Sequence, residues 1–203
     1  MSSYTLSFIK YLLGFRDAET GDTEAELKFL ASLAKGKGCV VEIGVYEGVA
    51  SKMFCQNMNH AGELYLVDPY FYSVKLEKVL NSSFTQFIAK QSVKGYGDQY
   101  RFVKLTSVQA SKFLNLKGQV DLIFIDARHD YESVFEDFRC WSPMLSSEGI
   151  MAFHDSRVCE ARQDLTAQTG PVRLCNEIAR GEHGDWKVVN AVDSITVISA
   201  GAR

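Results

Sequence analysis

A chain of 203 residues, 46% hydrophobic and 23% charged, is long enough to bury one substantial core, and no low-complexity linker or internal repeat divides it. Its 22 basic and 25 acidic side chains leave a net charge of -3 with no basic run, which argues against nucleic acid as a partner. Five scattered cysteines without a C-x-x-C pair exclude a zinc ribbon and a disulfide framework, and fit the reducing cytoplasm.

The segment from Tyr4 to Phe15 is apolar but interrupted by Lys10. It is too short to span a bilayer and lacks the charged leader of a signal peptide. It reads as a short amphipathic helix, packed on the domain or against a second copy in a homodimer. Residues 1–35 are thus a helical segment carried on a single domain, 1–203. Thr23 and Glu26 have capping-box spacing ahead of Leu27, Leu30 and Leu33, which predicts a helix ending in the Lys35–Gly38 run. Cys39–Ile43 fits a fully buried strand, and helical spacing resumes from Glu47 to His60. Further strands are predicted at Glu63–Asp68, Tyr100–Leu105, Val120–Asp126 and Gly149–Asp155, with helices over Val74–Lys94, Val108–Asn115 and Tyr131–Leu145. Trp186–Val189 and Ser194–Ser199 are two more strands with only a turn between them. The alternation predicts an α/β fold: a Rossmann-like, doubly wound, mainly parallel sheet of about seven strands, finished by a C-terminal antiparallel hairpin.

Ligands of open α/β sheets bind beyond the carboxyl ends of the strands, at the topological switch. After the first strand the chain reads Glu42-Ile43-Gly44-Val45-Tyr46-Glu47-Gly48. This E-x-G-x-x-x-G spacing differs from the G-x-G-x-x-G of nicotinamide dinucleotide binders, and no Tyr-x-x-x-Lys pair supports a reductase. A pyrophosphate wants bare amides at a helix N-terminus. Glu42 and Glu47 would instead favour a ligand carrying an ammonium or sulfonium. Asp68, at the tip of the second strand, is placed to accept bonds from the hydroxyls of an adenosine ribose. A phosphate-free adenosine with a cationic amino-acid tail describes S-adenosylmethionine.

A second constellation follows the fourth and fifth strands: Asp126 and His129 in "DARHDY", and His154 and Asp155 in "FHDS". Adjacent parallel strands end side by side. Asp126 and Asp155 could therefore hold a hard divalent cation such as Mg2+, and His129 could take a proton from a substrate hydroxyl. The plain structural alternatives are that His129 caps the helix opening near Tyr131 and that Asp155 is an N-cap.

In order, Val40-Val41-Glu42-Ile43-Gly44, Gly48, Ser51, Asp68-Pro69, Ile125-Asp126, His129, Tyr131, Asp137, Trp141, Leu145, Gly149 and Phe153-His154-Asp155 resemble the class I S-adenosylmethionine-dependent methyltransferases. The resemblance is greatest to methyltransferase family 24, related to the catechol-type O-methyltransferases, and it covers most of the chain. It implies that Glu42, Gly44 and Gly48, with Tyr46 and Glu47 in the same turn, surround the methionine part of the cofactor. It further implies that Asp68 binds the ribose, that Thr106 and Ser107 lie near the adenine, and that Asp126 faces the same site. In catechol-type relatives the acids matching Asp126 and Asp155 bind metal, and a lysine matching His129 is the general base. Ser156 stands where those relatives carry a third ligand. The expected activity is O-methylation of a small hydroxylated acceptor of sugar or natural-product type, with neither nucleic acid nor membrane as partner. The competing expectation is a non-catalytic S-adenosylmethionine-binding regulatory or scaffold protein.

Overall fold

The computed structural model describes residues 2–201. Its strands are β1 (Cys39–Ile43), β2 (Glu63–Val67), β3 (Tyr100–Val103), β4 (Val120–Ile125), β5 (Leu145–Phe153), β6 (Trp186–Val192) and β7 (Ile195–Ala200). They form one sheet in the order β3-β2-β1-β4-β5-β7-β6. The first five are parallel, and β7 lies antiparallel between β5 and β6. The doubly wound sheet with its terminal hairpin is therefore the fold the sequence implies. The strand order reverses between β1 and β4, which places the glycine turn and Asp126 on either side of the switch.

The helices are α1 (Ser3–Leu12), α2 (Glu24–Ala34), α3 (Val49–Asn57), α4 (Lys75–Leu80), α5 (Phe84–Val93), α6 (Ser107–Phe113), α7 (Tyr131–Trp141) and α8 (Gly170–Ala179). None among the described residues is long and apolar enough to cross a membrane. Successive strand side chains point to opposite faces. Val41, Ile43, Ile123, Ile125, Met151 and Phe153 accordingly pack with residues of α6, α7 and α8, Trp141 and Leu174 among them. Val40, Leu64, Leu66, Leu122, Phe124 and Val197 pack on the other face with Leu30, Phe54 and Ala89 of α2, α3 and α5.

Three local departures have physical causes. The single helix predicted over Val74–Lys94 is two, because Asn81 turns left-handed at φ 50°. The buried Glu77 carboxylate then accepts the amides of Ser73, Val74 and Phe84 across the break. The helix from Tyr131 yields at Ser142–Met144 to a short 3-10 turn holding Pro143, whose missing N–H cannot continue it. Helix α8 has no counterpart among the predicted elements. It begins Gly170-Pro171, and its start is pressed against β4's loop: a Cβ on Gly170 would lie 2.6 Å from Tyr131 N. The expected capping box is present at α2, with Thr23 Oγ1 accepting Glu26 N at 3.1 Å and Glu26 accepting Thr23 N at 2.7 Å. Helix α1 forms as expected and buries none of its residues fully; Phe8 stacks on Phe84 at 4.1 Å between ring centroids.

Candidate active site

The turn after β1 is shaped by its neighbours as much as by any ligand. Gly44 sits at φ 87°, and a Cβ there would come within 2.0 Å of the Asp126 carbonyl oxygen. Gly48, at φ 77°, is the left-handed residue that opens α3, with Ala89 of α5 against it. Both positions demand glycine by backbone conformation and space. Between them, Val45 N and Tyr46 N donate to Asp68 Oδ2 at 3.0 and 3.4 Å, and Tyr70 N donates to Oδ1 at 2.7 Å. Asp68 thus ties the end of β2 to the glycine turn. Oδ1, with one donor, keeps a lone pair for another.

The two glutamates of the turn do not stand where a ligand would meet them. Glu47 is turned away, gripped by Arg16 through bonds of 2.7 and 2.8 Å and by the Glu19 amide at 2.7 Å. Its expected place beside the cofactor is corrected: it fastens the N-terminal segment to the turn. Glu42 lies buried beneath the turn and accepts the Ser51 hydroxyl at 2.6 Å. Burial pushes its carboxyl well above the usual range, the Ser51 bond opposes this, and the nearby Asp22, Asp126 and Asp68 push the same way. The folded pKa therefore exceeds the unfolded one. The stability this group contributes is full below the unfolded value and is lost as pH rises through the folded value. Glu42→Gln, which cannot ionise, should match or exceed wild-type stability at neutral pH by on the order of 1 kcal/mol, and its lead should widen in alkali. Thermal melts across the pH range check this. A wild-type advantage growing with pH would show an ionised carboxylate instead.

A cleft of about 800 Å³ opens above the switch, lined by Gly44, Tyr46, Asp68, Thr106, Ser107 and Asp126 among others. The structure thus brings these six expected residues together. Thr106 also caps α6 by accepting Gln109 N, and Ser107 Oγ accepts the indole N–H of Trp141 at 2.8 Å. Asp137, quoted above only as part of a pattern, lines the cleft too. Burial raises its carboxyl to about 6 against the hydrogen bond from Ser107.

At the tips of β4 and β5, Asp126 Oδ1 lies 3.1 Å from His154 Nδ1, and His129 Nε2 lies 3.4 Å from Asp155 Oδ2 and 3.9 Å from Asp126 Oδ1. Burial opposes ionisation of Asp126, but the nearby His129 ring and the hydrogen bond to His154 hold it down at about 2. His129 is half-exposed and is not among the residues that line the cleft; it is raised above the usual histidine value by the Asp126 carboxylate, 3.9 Å away. It does not cap α7; Asp130 does, accepting Ser133 N at 3.0 Å. Nor does Asp155 cap a helix: it turns left-handed at φ 51° with no helix following.

Three participants were not legible as such in the sequence. His154 Nε2 faces Asp22 at 3.6 Å and Glu26 at 3.5 Å, acids brought from the start of α2. Arg162, from the loop after β5, pairs with Asp155. Burial lifts the Asp22 carboxyl to about 6. Burial works likewise on Glu26, but the nearby His154 ring and bonds from Ser194 and Thr23 pull it down to about 2. Burial alone would discharge His154, yet its bond to Asp126 and the Glu26 carboxylate 3.5 Å from its Nε2 carry it up to about 11. Asp22, Asp126 and His154 are the one trio of potential ligands, among the described residues, whose donor atoms lie within 4.8 Å of one another. The metal expected between Asp126 and Asp155 does not fit the residues present: Arg162 occupies one, His154 the other, and Ser156 turns its hydroxyl back to the Phe153 carbonyl at 2.8 Å.

Comparison with known proteins points one way. A family profile described as "Methyltransferase domain", of methyltransferase family 24, matches residues 41–156. The chain is 30% identical over 127 residues, 60% of its length, to the uncharacterized protein y4gI of Sinorhizobium fredii, and the match spans only 13% of that larger protein. Among solved structures, the cofactor-bound Rv0187 from MTB superposes with a TM-score of 0.71 at 15% identity, covering 100% of this chain and 92% of that one. The O-methyltransferase TomG of Streptomyces achromogenes, in complex with SAM and involved in tomaymycin synthesis, does so with a TM-score of 0.64 at 14% identity, covering 99% and 91%. At these identities the structural likenesses establish the fold.

Proposed function

Since the chain belongs to the methyltransferase family whose profile it matches over residues 41–156, we propose that it is an S-adenosylmethionine-dependent O-methyltransferase acting on a small hydroxylated acceptor of sugar or natural-product type. The observation that carries this reading is the charge of the cleft. Asp68, Asp126, Glu136 and Asp137 line it, and the basic residue with them, Arg128, is engaged by Asp130 at 2.7 Å. Such walls repel a pyrophosphate and attract a sulfonium and an ammonium. The cofactor bound to the structurally similar TomG supports the same reading.

S-adenosylmethionine supplies, when bound, a methyl group on a positively charged sulfur that leaves readily. The chain's own residues then have modest tasks. Asp68 accepts the ribose hydroxyls while remaining tied to the glycine turn. Thr106 and Ser107 border the base, and the Asp126 carboxylate offers the cationic end its counter-charge. His129 takes the acceptor's hydroxyl proton, and Asp155, 3.4 Å from its Nε2, orients the ring and balances the charge it gains.

Calorimetric titration with S-adenosylhomocysteine tests the cofactor. Wild type should bind, and Asp68→Ala should weaken binding by about 2–3 kcal/mol, roughly 30- to 150-fold in Kd. Binding that is absent, or indifferent to Asp68, would sink the reading. Binding without transfer to any hydroxyl acceptor in a broad panel would turn it toward a regulatory cofactor-binding role.

A further inference from the structure

A hard divalent cation needs several oxygens with free lone pairs converging on one point. The acids at the tips of β4 and β5 are candidates for it, but both Asp155 oxygens and one Asp126 oxygen already face side-chain nitrogens. Asp155 pairs through Oδ1 with Arg162, whose guanidinium is itself gripped from the far side by Asp164 at 3.0 and 2.9 Å. The other Asp155 oxygen faces His129 at 3.4 Å. Asp126 Oδ1 faces His154 Nδ1 at 3.1 Å. The residue after Asp155 is Ser156, whose hydroxyl is buried between the carbonyls of Phe153 and Ser194, at 2.8 and 2.9 Å.

His154 is the centre of this arrangement. Its Nδ1 faces Asp126 at 3.1 Å and Asp155 at 3.4 Å, while its Nε2 faces Glu26 at 3.5 Å and Asp22 at 3.6 Å. A neutral imidazole has one N–H and one lone pair. Either tautomer would turn that lone pair on a carboxylate, so these surroundings favour the doubly protonated ring. A guanidinium cannot be discharged. A fixed positive charge therefore stands against Asp155, and the His154 ring occupies one oxygen of Asp126.

We infer that this methyl-transfer site works without a divalent cation, the His154 imidazolium and the Arg162 guanidinium standing where the charge of a metal would be. The inference rests on the methyltransferase reading for its turnover test, and stands apart from it for its binding test. One arrangement competes. Asp22 Oδ1 and His154 Nε2 are buried and lack hydrogen-bond partners, and with Asp126 they form the trio that could close around an ion. Asp22 and Asp126, however, face different nitrogens of the one ring.

Mn2+ titration of the full chain, followed by the loss of free-ion paramagnetic signal, decides between them. Wild type should leave Mn2+ free up to about millimolar concentration. Arg162→Ala, which frees one oxygen of Asp155, and the double variant His154→Asp/Arg162→Ala, which removes both cations and adds a carboxylate, should gain affinity in that order, by on the order of tenfold at each step. Methyl transfer by wild type should change less than about twofold with excess chelator. Stoichiometric Mn2+ binding by wild type, lost in Asp22→Asn or Asp155→Asn, would overturn the inference. So would turnover that chelator abolishes and Mg2+ restores. A wild type that ignores Mn2+ together with an Arg162→Ala variant that gains nothing would overturn the role given to Arg162. Failure to find any acceptor would count against the transferase reading alone, because the Mn2+ titration needs no turnover.

Discussion

Exchange of His129 for alanine should slow methyl transfer by roughly 10²- to 10⁴-fold while leaving S-adenosylhomocysteine affinity within about twofold. The ring is half-exposed, and its ion-pair partners are Asp155 and Asp126, not Asp68. Its Nε2 is engaged by Asp155 at 3.4 Å, so the residue removed is a proton acceptor with its orientation already set. The Asp126 carboxylate, 3.9 Å away, raises its pKa, burial opposes, and Asp155 adds to the rise. The wild-type rate should therefore climb as pH rises through that raised value, above the usual histidine midpoint, and the dependence should vanish in the variant. A His129→Ala enzyme of full rate would remove this residue from the chemistry and leave the fold and cofactor cleft untouched.

Gly44→Ala should cost about 2–5 kcal/mol of stability and abolish cofactor binding in whatever folds. Two costs combine. At φ 87° an L side chain is strained, and its Cβ would stand 2.0 Å from the Asp126 carbonyl oxygen and 2.6 Å from the carbon behind it. Those are backbone atoms of the neighbouring strand end, which cannot swing aside as a flexible side chain would. Relief requires β1 and β4 to part where Asp126 N donates to Ile43 O at 2.8 Å. Chemical denaturation reads the first effect and calorimetry the second. A variant of wild-type stability would mean that the turn is far more compliant than its geometry implies.

The sheet was legible because its strands are short, apolar and bounded by turn residues, and because the buried Val120–Ile125 run admits no other reading. The meeting of the glycine turn, Asp68 and Asp126 around one cleft was legible for the same reason: all belong to strand tips, which topology alone brings together. Glu47 misled because sequence shows that a carboxylate lies in the turn but not which way it points, and its partner Arg16 is 31 positions away. Asp22 and Glu26 escaped for a related reason. Glu26 announces itself as a capping residue, and it is one, yet its other oxygen accepts Ser194 N and Oγ at 2.8 and 2.6 Å from the far end of the chain. Helix α8 was missed behind a loop of mixed polarity, and the same loop hid Arg162. Pairings across such separations leave no periodic trace.

The placement of β7 bears on how the domain is made. During vectorial synthesis the strand that ends in His154 and Asp155 emerges with β4 on one side and a bare edge on the other, since its second partner is residues 195–200. Ser194, which accepts Asp155 N, presents its carbonyl to Ser156 N and closes onto Glu26, arrives only then. A nascent chain halted at Val192 would hold the glycine turn and Asp68 complete but leave the acidic rim unassembled. The glycine turn and the acidic cluster would thus assemble at different moments of translation, the second waiting for Ser194 to reach Glu26.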